Sequence, residues 1–233
     1  MRVREGGAHG TSGDEIGQQD MAAGDTIVDV GRHRQRTETF RLVYVCTGNI
    51  CRSPVAEIMT RHLLIGKLGG RLASRFDVSS AGVSAVVDSQ IHPDTREELT
   101  PWGLDGVIAG RFRARQLRSA MVREADLVLG ANPRHRSAVV EQAPEGMKTA
   151  FSIREFALLA EAVDPDVLPL DPITRAHELV EQARLNRGLV PMDPEELEIP
   201  DPMGRSQKAH HEAVMLIVDA VARIVNLMVP TRR

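Results

Sequence analysis

The apolar residues of this chain fall into short runs and helical stripes that begin near residue 40. Residues 40–46 alternate and then run continuously apolar, which is typical of a strand buried on both faces of a parallel sheet. Three further β-rich segments, at residues 76–82, 126–129 and 148–151, are separated by turn residues or by helical patterns. We therefore predict four strands.

Helical spacing of apolar residues separates these segments. It is clear after Pro54 and from Gln207 to Met228, and shorter helices are predicted from Pro133 to Glu141 and from Ser152 to Ala162. Strands that alternate with helices predict an α/β fold, namely a doubly wound four-stranded parallel sheet with helices on both faces. In such folds the functional site lies at the carboxyl ends of the strands.

Two regions depart from this pattern. Residues 1–38 are rich in glycine and charge and show little periodic apolarity, so we expect a mobile N-terminal tail before a domain that spans 39–233. Residues 163–198 are rich in proline and aspartate, with one predicted helix from Ile173 to Arg187. We interpret residues 163–198 as an insertion within the domain.

Composition removes several classes of function. The formal net charge of −3 over 233 residues gives no basic footprint for a nucleic acid. No apolar run has membrane-spanning length and the N-terminus has no hydrophobic signal segment, so we expect neither a membrane partner nor secretion. The eight histidines form no recognisable zinc pattern, and His210 and His211 are expected on a solvated helix start. Neither a metal nor a cofactor is predicted.

The candidate chemistry lies where the first strand meets the first helix. Cys46 ends the strand, a polar loop containing Gly48 follows, and Arg52 stands six residues after Cys46, just before Pro54. A loop in this position turns backbone N–H groups toward an anion and favours the thiolate form of a cysteine at the helix N-terminus. A guanidinium can bind two phosphoryl oxygens. These properties predict Cys46 as a nucleophile and Arg52 as a phosphate-binding cation, in a reducing cytoplasm.

Other residues of the same loop are predicted to contact the substrate or the nucleophile. Ser53 donates a hydroxyl to the thiolate in this hypothesis, or simply caps the helix before Pro54. Cys51 is either a packed small residue or a partner that forms a protective disulfide with Cys46 under oxidation. The predicted substrate-binding residues are Thr47, Gly48, Asn49, Ile50, Cys51, Ser53 and Met203.

The run Cys-Thr-Gly-Asn-Ile-Cys-Arg-Ser-Pro at residues 46–54 resembles the signature of the low-molecular-weight protein tyrosine phosphatase family. A second match, Pro200-Asp201-Pro202, stands before the last helix, where that family has its general acid. The resemblance covers about residues 40–156 and 199–228. It implies a phosphatase I-like fold and a cytoplasmic, cofactor-independent phosphomonoester hydrolase that works through a phosphocysteine intermediate.

The resemblance assigns Asp201 as the general acid and Asn49 as a brace for the loop backbone. An ordinary Asp-Pro turn is the alternative for Asp201, because the same pair recurs at Asp164, Asp171 and Asp193. Only Asp201 stands directly before the final helix, and its position therefore selects it.

Three departures from the family pattern leave the substrate open. Met203 and Val86 occupy places where the family often has aromatic walls, and Phe112 replaces a histidine that supports the loop. The substrate is thus a phosphorylated protein or a small-molecule phosphate ester such as a sugar or nucleoside phosphate. Arsenate reduction and non-catalytic phosphate binding are further alternatives, and the oligomeric state stays open.

Overall fold

The computed structural model of the chain describes residues 38–230. The predicted tail over residues 1–38 therefore lies, apart from Glu38, outside the described residues. The strands are β1 (Phe40–Cys46), β2 (Phe76–Gly82), β3 (Leu127–Gly130) and β4 (Ala150–Ser152). The α-helices of the described residues are α1 (Arg52–Leu68), α2 (Gly70–Ala73), α3 (Pro93–Glu97), α4 (Val107–Arg111), α5 (Ser119–Glu124), α6 (Pro133–Gln142), α7 (Ile153–Glu161), α8 (Pro172–Leu185) and α9 (Gln207–Met228).

The four strands form one parallel sheet in the order β2-β1-β3-β4. Cys46 pairs with Gly82, and Val45 pairs with Gly130, so the carboxyl ends of the three adjacent strands meet at one edge. The predicted doubly wound sheet is confirmed. Its carboxyl edge is the place where β1 passes into the loop that contains the candidate nucleophile.

Alternate residues of β1 belong to two separate cores, because successive side chains of a strand point to opposite faces. Leu42 and Tyr44 join the larger core, to which α1, α7, α8 and α9 contribute. Val43 and Val45 join a smaller core with residues of α5 and α6. Helices therefore cover both faces of the sheet, as the sequence predicts.

Several helix boundaries differ from the predicted ones for local reasons. The segment from Pro93 to Trp102, for which a single helix is expected from the sequence, is divided into α3 and a 3-10 turn at Thr100–Trp102, since Pro101 cannot donate the hydrogen bond that a continuous helix needs. Residues 112–117 are extended, because Gly82 donates its N–H to the carbonyl of Arg115 and accepts the N–H of Leu117. The helix α5 begins only at Ser119. The short helix α4 was not predicted.

The segment 163–198 forms α8 and two short 3-10 turns. Asp171 caps α8 by accepting a hydrogen bond from the N–H of Thr174, and Ile173 and Leu179 are buried in the larger core. Beyond α8, the guanidinium of Arg187 lies 3.8 Å from the centroid of the Phe151 ring. The segment therefore packs on the same core as the sheet.

The last helix corrects one prediction. His210 is completely buried, whereas its neighbour His211 is exposed and lies 2.7 Å from a carboxylate oxygen of Glu98. The expectation that both histidines lie on a solvated helix start is wrong for His210, because that position faces α3. Within residues 38–230, no helix combines the length and apolarity that a membrane span requires.

Candidate active site

The loop between β1 and α1 turns its carbonyl groups outward. Four of these carbonyls accept backbone N–H groups from the segment after β2, in the pairs Cys46–Val83, Thr47–Ser84, Gly48–Val86 and Ile50–His92, at 2.8–3.0 Å. The amides of residues 47–51 donate to no partner within the described part of the chain. With four carbonyls engaged on the side of β2 and its amides left without partners, the loop suits an anion at the N-terminus of α1.

The candidate nucleophile sits at the base of this loop. Cys46 is 2% exposed, and its Sγ lies 3.0 Å from the Oγ of Ser53. The Nδ2 of Asn49 donates to the same hydroxyl oxygen at 2.9 Å. Because Ser53 accepts from Asn49, its own hydroxyl proton is available to the sulfur. This geometry matches the donor role predicted for Ser53.

Asn49 holds the loop in a conformation that few residues adopt. Its φ angle is 57°, in the left-handed region that asparagine tolerates. Its side chain donates to Ser80 at 2.9 Å and accepts the backbone N–H of Arg115 at 2.8 Å. The side chain is fully buried, so these bonds tie the loop to β2 and to the extended segment beside it.

The buried carboxylate of Glu57 extends the hydrogen bonds that Asn49 makes with Ser80. Ser80 donates its hydroxyl to Glu57 at 2.7 Å, and the guanidinium groups of Arg61 and Arg115 lie 3.4 and 3.6 Å from the same carboxylate. Burial raises the pKa of Glu57, while the Ser80 bond and the two arginines oppose that rise. The hydrogen bonds from Asn49 to Ser80 and from Ser80 to Glu57 therefore link the loop to α1, which contains Glu57.

Cys51 is a second buried thiol of the loop, and both cysteines are free. Burial raises the pKa of Cys51 to about 11, with a hydrogen bond from Thr95 acting in the opposite direction. Cys51 is thus a protonated thiol at neutral pH. This state fits the interpretation of Cys51 as a packed small residue.

Arg52 and Asp201 meet across the mouth of the loop. The guanidinium of Arg52 is 3% exposed, donates to the carbonyl of Ile199 at 3.1 Å, and forms an ion pair with Asp201. Its Nε has no partner. Asp201 is 47% exposed, and its other oxygen accepts the N–H of Met203 at 3.1 Å. An incoming phosphate would compete with Asp201 for Arg52, and this exchange would free the carboxyl group for a leaving oxygen.

These groups line one pocket of about 210 Å³. Its walls are Cys46, Thr47, Gly48, Ile50, Cys51, Arg52, Ser84, Val86, Asp201 and Met203. Val86 and Met203 are about half exposed at its mouth. Of the predicted site residues, Asn49 and Ser53 lie behind the wall as supports. No residue of the segment 163–198, all of which is described, lines the pocket.

The sequence did not predict a role for His135, whose side chain contacts the phosphate-binding loop at Thr47. Its Nε2 lies 3.0 Å from the Oγ1 of Thr47. Burial, reinforced by the positive charge of Arg52, lowers the pKa of His135 to about 4, so the ring is neutral at pH 7. Asn132 caps the start of α6 directly after β3 and so positions this ring. The rule that sites lie beyond the carboxyl ends of parallel strands could have drawn attention to His135 and Ser80.

Phe112, expected near the place of a supporting histidine, is buried in the larger core. Polar support for the loop comes instead from Ser80, Glu57 and the backbone of Arg115. The loop is therefore held by polar contacts even though no histidine stands at position 112.

Comparison with known proteins decides the family. The profile of the family described as low molecular weight phosphotyrosine protein phosphatase matches residues 41–186, more than half of the chain. The chain belongs to this family. It is 28% identical over 145 residues to a protein-arginine-phosphatase of Geobacillus stearothermophilus, and these residues cover 62% of this chain and 86% of that protein.

One further relative agrees with this assignment, and a solved structure agrees with the fold. The low molecular weight protein-tyrosine-phosphatase Etp of Escherichia coli (strain K12) is 30% identical over 142 residues, covering 61% of this chain and 88% of Etp. The crystal structure of the low molecular weight protein tyrosine phosphatase from T. tengcongensis superposes with a TM-score of 0.57 at 24% identity, covering 80% of this chain and 98% of that one. Family membership makes this protein a cysteine-dependent phosphatase that acts on phosphorylated substrates.

Proposed function

We propose that this phosphatase hydrolyses aryl phosphate monoesters of the phosphotyrosine type through a phosphocysteine at Cys46. The observation that carries this proposal is the convergence of Cys46, Arg52 and Asp201 on one small pocket with apolar walls at its mouth. Mere phosphate binding needs neither a thiol nor a carboxyl group at this place. The convergence therefore favours catalysis over a binding module.

In the first step the Cys46 sulfur attacks phosphorus while Asp201 gives a proton to the departing oxygen. Arg52 and the amides of the loop stabilise the charge on the three equatorial oxygens, which is the main demand of a loose phosphoryl transition state. In the second step the Asp201 carboxylate takes a proton from water, and that water displaces the thiolate from phosphorus. The Ser53 hydroxyl eases this departure by donating to the sulfur.

The pocket walls favour an aryl ester over a sugar or nucleoside phosphate. Ile50, Val86 and Met203 provide aliphatic surface, and the segment 163–198 brings no polar group to the pocket. Aliphatic side chains cover a ring without the offset stacking that aromatic walls supply, so substrate binding should be weak.

The proposal also covers the cellular compartment of the enzyme and the bounds of its catalytic domain. A catalytic thiolate works best in a reducing compartment, and we therefore assign the activity to the cytoplasm. We assign catalysis to one domain over residues 39–233, in which the segment 163–198 is an insertion that extends the core behind the sheet.

The test is a panel of substrates assayed with the full chain, reporting kcat/KM for each. The panel contains phosphotyrosine and phosphoarginine peptides, nitrophenyl phosphate, a sugar phosphate and a nucleoside monophosphate. We expect the aryl esters to exceed the metabolites, with a high KM for the phosphotyrosine peptides. The highest kcat/KM on a sugar phosphate or on a phosphoarginine peptide would contradict the proposed substrate class.

Cys46→Ser supplies the control for mechanism. It should abolish turnover but retain vanadate binding, since Arg52 and the loop amides remain. Near-native activity of this variant would contradict the phosphocysteine mechanism itself, whatever the order of substrates.

A further inference from the structure

Two histidines from distant parts of the chain meet beside the phosphate-binding loop. His92 precedes α3, and His210 lies in the first turn of α9. Their rings stack with centroids 4.9 Å apart and planes inclined by 19°. Asp94, in the first turn of α3, places a carboxylate oxygen 3.8 Å from the Nε2 of His210. None of these residues lines the catalytic pocket.

The two rings leave polar atoms without partners. Both the Nδ1 of His92 and the Nε2 of His210 are buried and have no hydrogen-bond partner. The His210 side chain is completely buried, so solvent does not compensate. A buried polar atom without a partner is costly, and such an atom calls for a specific explanation. Here the unpartnered Nε2 of His210 is aimed toward a carboxylate.

The second ring nitrogen of His210, Nδ1, has an oxygen atom as its hydrogen-bond partner, as is usual for a histidine that binds a metal ion. Its Nδ1 lies 2.7 Å from the Oγ1 of Thr95, a fully buried hydroxyl. Histidines that bind metals usually donate their second N–H to a protein oxygen, and this bond fixes the tautomer that leaves the first nitrogen free to ligate. Donation from His210 to Thr95 leaves a lone pair on Nε2 beside Asp94.

We propose that His92, Asp94 and His210 form a binding site for a divalent transition metal ion of the zinc type. Two imidazoles and one carboxylate are a ligand set that zinc, cobalt and nickel favour over magnesium or calcium. The ligand atoms lie within 4.8 Å of one another. In a tetrahedral site, bonds of about 2.0–2.2 Å place such atoms roughly 3.3–3.6 Å apart. Binding of the ion therefore requires small rotations of these side chains, of which that of Asp94 is 43% exposed.

The position of the site indicates a structural role. The backbone N–H of His92 donates to the carbonyl of Ile50 in the phosphate-binding loop at 2.8 Å. His210 lies in the helix that follows the Asp201 loop. A metal ion between them joins α3 to α9 and so braces both halves of the active site. It touches no reacting atom, and the phosphocysteine chemistry remains independent of it.

The experiment uses full-length protein freed of metal by a chelator, in a Cys46→Ser background, because the catalytic thiolate is itself a zinc ligand. Zinc chloride is titrated by calorimetry, the Tm is followed with and without zinc, and cobalt is added to record its visible absorption. We expect uptake of one ion per chain, a higher Tm and a tetrahedral cobalt spectrum. Activity is not among these readouts, so the result does not depend on the proposed substrate.

Asp94→Asn is the main variant, since its half-exposed side chain can change without disturbing the core. Loss of a ligand should weaken zinc binding by at least the ~10–100-fold that removal of an outer-shell partner causes, and the Tm shift should disappear. His92→Gln should do the same. His211→Ala, on the exposed neighbour, is the matched control and should bind like its parent. Absence of tight uptake, or equal uptake and Tm shifts in Asp94→Asn, would overturn the proposal.

Discussion

The two loops that form the active site are held in opposite ways. The phosphate-binding loop is buried and fixed by hydrogen bonds, with Asn49 and Ser53 fully buried and each backbone carbonyl from Cys46 to Gly48 engaged. The acid loop is open. Asp201 and Met203 are about half exposed, and in the described residues the side chain of Asp201 is bonded only to Arg52 and to the N–H of Met203.

This difference corresponds to the two tasks of the enzyme. Charge on a transferring phosphoryl group must be met by donors that are already in place, because reorganisation during the reaction costs rate. In the mechanism that we propose, Asp201 must first release Arg52 and then reach oxygens on leaving groups of different shape. We infer that affinity for phosphate resides in the rigid loop, while leaving-group chemistry and substrate choice reside in the open one.

Removal of the acid tests this division most strongly. Asp201→Ala should lower kcat on phenyl phosphate by about 10²–10⁴-fold, the usual contribution of a positioned proton donor. The loss on nitrophenyl phosphate should be much smaller, since that leaving group needs little protonation. Inhibition by inorganic phosphate should become tighter, because Arg52 loses the partner with which phosphate competes.

The measurement is kcat for both esters together with the inhibition constant of phosphate. Asp193→Ala is a matched control, since this residue also precedes a proline and caps an exposed 3-10 turn away from the pocket. Equal losses on both esters would contradict the assignment of Asp201 as the acid.

The phosphate-binding loop can be displaced by a substitution at Gly82, which its backbone contacts. A Cβ atom at Gly82 would lie 2.4 Å from the carbonyl oxygen of Thr47 and 3.0 Å from the amide nitrogen of Asn49, both backbone atoms. Gly82→Ala should therefore displace the loop. We expect kcat/KM to fall by about 10²-fold, the effect of a misplacement near 1 Å, and stability to fall by about 1–3 kcal/mol.

Gly66→Ala is the control for this change. It introduces the same methyl group into α1, where nothing lies within 4 Å. Activity on nitrophenyl phosphate and the unfolding midpoint in urea should stay close to wild type in this variant. Native activity of Gly82→Ala would show that the loop tolerates displacement and is not the rigid partner in the comparison.

The sequence predicted the parts of this molecule that depend on local pattern. The strands of residues 40–46 and 76–82 and the helix from Gln207 to Met228 have the predicted bounds, because periodic apolarity extends over each whole element. The candidate nucleophile, cation and acid were found because a spaced motif identifies them. Their convergence in one pocket then follows from the parallel sheet and from the position of α9.

What the sequence did not predict depends on contacts between distant residues. His210 and His211 are neighbours with similar local context, yet only His210 faces α3, and the hydrophobic pattern at the helix start does not distinguish them. The contacts of Ser80, in β2, and of His135, in α6, likewise come from parts of the chain distant from the loop. The extended run at residues 112–117 is set by its pairing with Gly82, a contact between distant parts of the chain.

The open loop yields the smallest predicted effect and the most direct test of substrate choice. Met203 is 52% exposed at the mouth of the pocket, opposite Val86. A tyrosine there would offer a flat surface to a substrate ring, and an aromatic pair contributes about 0.5–1.5 kcal/mol beyond area burial. We therefore expect Met203→Tyr to raise kcat/KM on phosphotyrosine peptides by a few-fold, mainly through KM.

Two comparisons separate this effect from a general one. Met147→Tyr makes the same substitution at a methionine of similar exposure outside the pocket, and it should leave all constants unchanged. Inorganic phosphate should inhibit Met203→Tyr and the wild type equally, because the rigid loop is untouched. If the wild type already turns over phosphotyrosine peptides efficiently and Met203→Tyr brings no gain, aromatic walls are not what limits this enzyme. Substrate choice would then have to reside in the rigid loop, and the division of tasks between the two loops would fail.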